Sequence, residues 1–170
     1  MVGQAWVPQR IPPYYPSTLI VIIIVGNEVL KNSVGLLDSS LVLAILKIHS
    51  SLVDLGFDDK IKVSTPHNMA ILSSSFPPST STFSTSLLPI MKPLLRLLDD
   101  TGALFMLNAY HYFSYIGNPK EVSLEYVMFG QSLGILDPKG LTYNNMLDAK
   151  NHYVYSSMVS LGRNEIIPVL

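Results

Sequence analysis

The chain contains no cysteine and few charged residues, and both absences narrow the functions that it can have. Lys, Arg, Asp and Glu make up 14% of the 170 residues, and the net charge at pH 7 is -1. Without cysteine there is no disulfide, no thiolate nucleophile and no cysteine-ligated metal. Without a basic cluster nothing would neutralise a phosphate backbone, so we expect no nucleic acid partner.

Long hydrophobic runs and common site motifs are lacking as well. The most apolar stretch, Leu19–Val25, has seven residues and is too short to span a membrane. Residues 1–10 show no basic leader before an apolar core, so no signal peptide is predicted. There is no glycine-rich phosphate loop and no Gly-x-Ser-x-Gly motif. His49 and His152 have no histidine four residues away, so we infer no metal site, and no cofactor is indicated.

The remaining sequence alternates between strand and helix patterns. A hydrophobic fraction of 48% in 170 residues is enough for one domain with a sizeable core. The predicted strands are Leu19–Val25, Ile61–Ser64, Leu104–Asn108 and Ile166–Leu170, and the main predicted helices are Asp38–Leu55, Leu87–Asp100, Ser123–Phe129 and Asn145–Leu161. Connections that contain helices require parallel strands. A doubly wound sheet and a (β/α)8 barrel both fit this order.

Several local features carry more specific expectations. Residues 73–86 are rich in Ser, Thr and Pro and predict a loop, which Phe76 and Phe83 would pack against the core. Ser86 is expected to cap the helix that follows, and Pro93 to kink it. We expect Phe113 in the core, and the histidines His67 and His111 at the surface or hydrogen-bonded in the structure.

The segment Val25-Gly26-Asn27-Glu28-Val29 is the strongest candidate for a functional site. It follows a strand that is apolar on both faces, and it places an amide and a carboxylate where that strand ends. In parallel α/β folds, ligands bind at the carboxyl ends of the strands. Glu28 is therefore placed for chemistry, although a strand-end Glu more often simply faces water.

Polar and aromatic residues also follow the other predicted strands. Thr65 and His67 come after the second strand, and Asn108, Tyr110 and Tyr112 come after the third. Aromatic faces stack on the apolar faces of sugar rings, so Tyr110 and Tyr112 are candidates for a carbohydrate cleft, with ordinary core packing as the alternative. Side chains gathered at one end of parallel strands are typical of the active face of a barrel.

The chain resembles the plant β-1,3-glucanases of glycoside hydrolase family 17. The matching motifs run in family order along nearly the whole chain: Tyr14-Tyr15-Pro16-Ser17-Thr18, Val25-Gly26-Asn27-Glu28-Val29, Asp59-Lys60-Ile61-Lys62-Val63-Ser64-Thr65, Ser75-Phe76-Pro77-Pro78-Ser79, Met91-Lys92-Pro93-Leu94-Leu95, Phe105-Met106-Leu107-Asn108-Ala109-Tyr110-His111-Tyr112-Phe113 and Leu141-Thr142-Tyr143-Asn144-Asn145-Met146-Leu147-Asp148-Ala149. The one small departure is His111, where the family usually has Pro.

The resemblance implies a partial catalytic domain over residues 1–170, an incomplete (β/α)8 barrel with about strands 4 to 7. It implies a retaining endo-hydrolase of β-1,3-glucan of the callose or laminarin type, secreted or in the cell wall. Glu28 matches the family's general acid/base, and Asn27 matches a residue expected to bind a sugar hydroxyl. The family's nucleophile lies in a Glu-Thr-Gly-Trp-Pro motif, and the sequence stops at Leu170, just before that motif is expected.

Two other functions remain open at this stage. If no other carboxylate replaces the nucleophile, the chain is a catalytically inactive product or a weak glucan-binding module. Glu165, Asp99, Asp100, Asp58 and Asp59 are all expected away from the carboxyl ends of the strands. A small doubly wound binding protein is the third possibility, which nucleotide binding would favour. Four strands cannot close a barrel, so we also expect aggregation or a swapped assembly of the chain alone.

Overall fold

The computed structural model describes residues 2–30, 38–74, 76–162 and 167–170, with side chains in 5–30, 40–74, 76–162 and 167–170. Its helices are α1 (Val2–Arg10), α2 (Asp38–Asp54), α3 (Leu88–Thr101), α4 (His111–Gly117), α5 (Leu124–Val127) and α6 (Met146–Ser160). Its strands are β1 (Ile22–Ile24), β2 (Lys62–Ser64), β3 (Pro66–His67), β4 (Leu72–Ser74), β5 (Thr82–Phe83), β6 (Met106–Leu107), β7 (Ile135–Leu136) and β8 (Thr142–Tyr143). The chain divides into two compact units.

The first unit contains the described residues 2–30, 38–67, 86–107 and 167–170, and its strands are parallel. β1 pairs with β2, and after the single residue Thr65 the same stretch continues as β3 and pairs with β6. Phe105 bridges to Val169, with the Phe105 N–H donating to the Pro168 carbonyl at 2.9 Å. The parallel pairing confirms the prediction, and within this unit the strands that pair follow one another along the chain.

Helices α2 and α3 pack against β2 and against each other. Gly56 follows α2 in the left-handed region, and its N–H donates to the Val53 carbonyl, which confirms the predicted stop. The Asp38 cap of α2 lies outside the described side chains. Helix α3 continues through Pro93 and ends at Gly102, which is also left-handed, whereas its N-cap residue is Leu87 without a side-chain bond. The prediction that Ser86 caps this helix is wrong, because a 3-10 turn over Thr85–Leu87 precedes it.

The core of the first unit is built from apolar side chains of the helices and of the strands between them. Phe105 is 0% exposed, and the ring of His67 lies 5.0 Å from it, centroid to centroid. The other fully buried residues include Leu52, Ile61, Met91, Leu94, Leu95 and Leu98. Among the described residues, β1 pairs on one side only, and the apolar Leu19, Val21 and Ile24 along it are exposed.

The second unit contains the described residues 68–74, 76–85 and 108–162. The stretch predicted as a loop is in fact ordered by two short antiparallel strands, β4 and β5, because Ser and Thr side chains tie them together, as in the Ser73–Thr82 hydroxyl contact at 2.7 Å. Phe83 is buried as predicted, but Phe76 is 62% exposed. Helix α6 packs against β5 and the turn at 78–80, and a second core cluster forms around Tyr126, Val127, Tyr143, Met146, Ala149 and Tyr153.

Asp137 ties two segments of the second unit together, a role that the sequence did not indicate. It is buried, and its carboxylate accepts from the Ser79 N–H and the Lys139 N–H, both at 2.9 Å. Burial acts to raise the pKa of Asp137, but the hydrogen bonds from Ser79 and Lys139 outweigh it, and the pKa lies below the usual value. The ionised carboxylate is thus the form that the fold stabilises.

We predict that Asp137→Asn flattens the acid limb of the stability profile. A carboxyl whose pKa is depressed by folding contributes stability above its unfolded pKa, about 4, and loses that contribution as pH falls through the folded value. The urea midpoint of the variant should therefore drop less between pH 7 and acid pH than that of the parent. Exposed Asp54→Asn is the matched control, and an acid limb equally steep in both variants would contradict the assignment.

Of the described helices, none has both the length and the apolar content that a membrane span requires.

Candidate functional site

Glu28 lies at the carboxyl end of β1, beside the neighbouring strand. The Val25 N–H donates to the Ser64 carbonyl at 2.8 Å, and the Glu28 N–H donates to the Pro66 carbonyl at 2.9 Å. The backbone therefore continues along its partner after β1 has ended as a regular strand. Glu28 is half-buried there, and its neighbour Asn27 is exposed.

The backbone of this segment adopts an uncommon conformation. Gly26 has a φ of +70° and Glu28 a φ of +50°, so both are left-handed. Glycine takes this conformation freely, but a residue with a long side chain is strained in it by about 1–3 kcal/mol. Among the described residues only Glu28, Tyr110 and Phe129 do so without being glycine. The sequence had predicted Glu28 and Tyr110 as site residues independently.

Gly26 is needed for a second reason, which leads to a prediction. A Cβ at this position would lie 2.5 Å from Cγ2 of Val29, whereas at Gly56, with a φ of +69°, it would meet nothing within 4 Å. Both Gly→Ala changes carry the left-handed strain of roughly 1–2 kcal/mol, and Gly26→Ala adds a steric term of about 1–3 kcal/mol. Urea denaturation of the two variants measures the difference. Equal losses would show that the turn before Glu28 is not packed as described.

His67 and Thr65 place buried polar atoms at the next strand end. Both ring nitrogens of His67 and the hydroxyl of Thr65 lack a hydrogen-bond partner among the described residues, and His67 is fully buried. The expectation of a surface or hydrogen-bonded His67 is wrong, because the ring lies beside Phe105 in the core. Burial lowers the pKa of His67 to about 4, so its imidazole is neutral near pH 7.

The other carboxylates of the first unit lie away from the strand ends where Glu28 lies. Asp58 and Asp59 are in the turn before β2, and Asp99 and Asp100 are in the last turn of α3, where Asp100 pairs with Arg96 at 3.7 Å. These positions agree with the prediction, whereas Glu165 lies outside the described residues. Within the described ranges, no group of three or more His, Asp and Glu residues is arranged to hold a metal ion.

A groove with a volume of about 890 Å³ opens in the second unit. Two of the predicted site residues, Asn108 and Tyr110, line it together. Tyr110 is left-handed, with φ 42° and ψ 57°, and stands immediately before α4, with its ring 5.6 Å from that of Phe113. This placement exposes 52% of the residue, so the groove wall carries an accessible aromatic side chain. The groove has the size and the mixed apolar and polar lining of a small-ligand site.

Lys150 and Tyr153 of α6 complete the groove, and neither was predicted. Lys150 is 5% exposed; its Nζ donates to the Ala109 carbonyl and, at 2.8 Å, to the Ser114 hydroxyl. Burial lowers the pKa of Lys150 to about 8. Burial and then the charge of Lys150 lower the pKa of His111. The sequence offered one missed signal, a Lys four residues after Met146 on the apolar side of a helix.

A smaller cleft of about 410 Å³ is lined by Tyr110 and Phe113 as well, which it shares with the groove. Tyr112 lines this cleft and not the groove, with Phe113, Val127, Met128 and Phe129. The prediction of Phe113 as a core residue is wrong, because it is 66% exposed. The reason is that a helix not predicted from the sequence, α4, begins directly after Tyr110. The first turn of this helix exposes the rings of Tyr112 and Phe113.

Comparison with known proteins adds the family context. Residues 1–169 match the sequence profile of a protein family described as "Glycosyl hydrolases family 17". Among curated proteins, glucan endo-1,3-beta-glucosidase 11 of Arabidopsis thaliana is 42% identical over 158 residues, which are 92% of this chain and 37% of that protein. Glucan endo-1,3-beta-glucosidase 14 of the same plant is 38% identical, over 96% of this chain and 42% of its own length.

Solved structures give the same result. The β-1,3-glucanase and allergen CJP38 of Cryptomeria japonica pollen superposes with a TM-score of 0.89 at 40% identity, over 99% of this chain and 52% of that one. One of two plant β-glucan endohydrolases described as having distinct substrate specificities superposes with a TM-score of 0.85 at 30% identity, over 53% of its chain. The 170 residues thus span about half the length of these structures.

Proposed function

Because this chain belongs to glycosyl hydrolase family 17, we propose that it serves as part of an endo-hydrolase of β-1,3-glucan, of the callose or laminarin type. The chain spans 37% and 42% of the two Arabidopsis relatives described above, so the activity of the whole protein is a proposal here. We also propose that the protein is secreted or located in the cell wall.

The fold proposed for the chain is an incomplete (β/α)8 barrel with about strands 4 to 7, and the first unit supplies these strands. The support is the strand order: β1, the β2–β3 stretch, β6 and the segment around Val169 are parallel, and each neighbours the next in the chain. A barrel requires this uniform order, whereas a doubly wound sheet reverses it at a switch point. The superposition on two plant β-glucan hydrolases supports the same fold, because the family that the chain resembles is a barrel.

Glu28 is proposed as the general acid/base, and one observation carries this assignment. It is a half-buried carboxylate at the carboxyl end of a parallel strand, held in a left-handed conformation and fixed through its N–H to Pro66. Strain of this kind is retained where the surrounding structure enforces it, often at active sites. In a retaining mechanism such a group protonates the leaving glycosidic oxygen and then deprotonates the attacking water.

Glucan binding is proposed for residues in each unit separately. In the first unit Asn27, exposed beside Glu28, would bind a sugar hydroxyl. In the second unit Asn108 and Tyr110 line the groove, one offering an amide and the other a ring face for stacking on a sugar. Tyr112 lines the smaller cleft and would contact a glucan there.

A second candidate function is glucan binding without hydrolysis. Retaining enzymes require two carboxylates roughly 5–5.5 Å apart. Glu28 is proposed as one of them, but the described carboxylates at Asp58, Asp59, Asp99 and Asp100 lie at turns and helix ends away from the strand ends. These 170 residues by themselves would then bind a glucan chain without cleaving it.

Binding to laminari-oligosaccharides tests the part of the proposal that both candidates share. We predict that calorimetry shows binding by the purified chain, and that Tyr110→Ala raises Kd roughly 2- to 13-fold, because an aromatic stack contributes about 0.5–1.5 kcal/mol. Tyr14 is the matched control, since it is exposed to the same 52% but lies in the first unit, outside the groove. A Kd that changes as much in Tyr14→Ala as in Tyr110→Ala, or preferential binding of cello-oligosaccharides, would contradict the proposal.

A further inference from the structure

We propose that Lys150 is a positioning residue that holds the segment 109–114 in the conformation in which Asn108 and Tyr110 face the groove. The segment enters α4 through the left-handed Tyr110. Lys150 reaches it from α6 and contacts it at two points, the Ala109 carbonyl before Tyr110 and the Ser114 hydroxyl after it. One side chain thus spans the strained residue from both sides.

The burial of Lys150 argues for this role over a general contribution to stability. A Lys that is 5% exposed has lost most of its hydration, and a buried charge is weak support for a fold by itself. An apolar residue of the same length would fill the space between α6 and the groove without that penalty. An apolar residue could not orient the neighbouring segment, whereas the ammonium donates directional hydrogen bonds to the Ala109 carbonyl and the Ser114 hydroxyl.

The left-handed Tyr110 explains why such a fixing group is needed. Without a constraint, a tyrosine backbone returns to the α or β region, which would turn the ring away from its present direction. No side-chain hydrogen bond caps α4 at Tyr110, so a cap bond of the usual kind does not contribute to this conformation. The bonds from Lys150 to Ala109 and Ser114 fix the backbone on either side of the strained residue.

The consequence for glucan binding rests on the proposed function. If Tyr110 and Asn108 contact the sugar, then replacing Lys150 should weaken glucan binding, because its bonds to the segment 109–114 are lost. The ring that stacks on the sugar would still be present. The occupant that this groove favours is a neutral oligosaccharide. Among the described lining residues Lys150 is the only cation, and it is already bonded to two protein oxygens, while an acid, Glu121, also lines the groove.

The test compares Lys150→Met, Lys150→Arg and a control, Lys92→Met, which removes an exposed lysine from α3. Hydrogen exchange of the backbone amides in 111–117 is followed by mass spectrometry, and Kd for laminari-oligosaccharides by calorimetry. We expect Lys150→Met to speed exchange in this segment roughly 10-fold or more and to raise Kd by roughly 10-fold, without a comparable fall in Tm. Lys150→Arg should restore much of both, because a guanidinium also donates to two oxygens.

The possible outcomes separate this inference from the proposed function. Exchange in 111–117 that is unchanged in Lys150→Met overturns the positioning role, whatever the affinity. A global rise in exchange with a large fall in Tm, which Lys150→Arg does not restore, also overturns it, since that is the signature of a merely structural lysine. If the parent chain binds no glucan while exchange responds as expected, the proposed function fails and the positioning role stands.

Discussion

The purified 170-residue chain is expected to leave laminarin intact, with a rate at least about 10⁴-fold below that of a whole family 17 glucanase. The described carboxylates Asp58, Asp59, Asp99 and Asp100 lie away from the strand ends, so none of them is placed to act as the nucleophile beside Glu28. Loss of a covalent nucleophile removes this much or more from enzymes that form an intermediate. Reducing-end release is the measurement, with the Cryptomeria pollen β-1,3-glucanase as the positive control. Turnover by the purified chain that disappears in Glu28→Gln would overturn the expectation, and it would reveal a second carboxylate.

The acid can be examined separately by supplying a nucleophile from solution. Azide would attack the anomeric carbon of a bound laminari-oligosaccharide, the bond from that carbon to the leaving oxygen would break, and Glu28 would give its proton to that oxygen. One displacement of a β-glucoside yields an α-glycosyl azide, which chromatography detects. We expect this product to be lost in Glu28→Gln and retained in the control Glu125→Gln, which changes an exposed acid of α5. Equal yields from both variants would count against Glu28 as the donor.

Replacing Phe105 with Ala is expected to destabilise the first unit by about 3–5 kcal/mol. The ring of Phe105 is 0% exposed and lies beside His67. The backbone N–H of the same residue donates to the Pro168 carbonyl. A small domain is stable by roughly 5–15 kcal/mol, so a loss of this size brings the unit close to unfolding at room temperature.

Phe113→Ala is the matched control for this prediction. It removes the same ring from a position that is 66% exposed, where surface changes usually stay within about 0.5 kcal/mol. Guanidinium denaturation followed by circular dichroism compares the two variants. Similar losses in both would mean that Phe105 is not the centre of the core described here.

The sequence predicted the parallel elements well because their signals are long and periodic. The apolar run before Gly26 and the stripe along 38–54 leave few alternatives, and both elements formed where expected, although the strand is shorter. Residues 72–83 were less predictable, since Ser and Thr hydroxyls that bond across a pair of strands look the same in sequence as the hydroxyls of a loop.

The site was only partly predictable, for reasons that concern distant contacts. Glu28 can be recognised in the sequence because it follows an apolar strand. Asn108 and Tyr110 can be recognised because they follow another predicted strand. The spacing of Lys150 from Met146 indicates a lysine on the apolar side of a helix, but its partners Ala109 and Ser114 could not be predicted, because they are 41 and 36 residues away. The exposure of Phe113 was missed for a related reason, since it depends on where α4 begins rather than on the hydrophobicity of the ring.

The side of β1 on which no described strand pairs has a consequence for the behaviour of the chain in solution. Backbone groups along Ile22–Ile24, flanked by exposed Leu19 and Val21, offer a template on which another chain can add a strand. Such an encounter is bimolecular, so its rate grows with the square of protein concentration. Refolding in dilute solution and recording light scattering before each titration would keep self-association out of the binding isotherms.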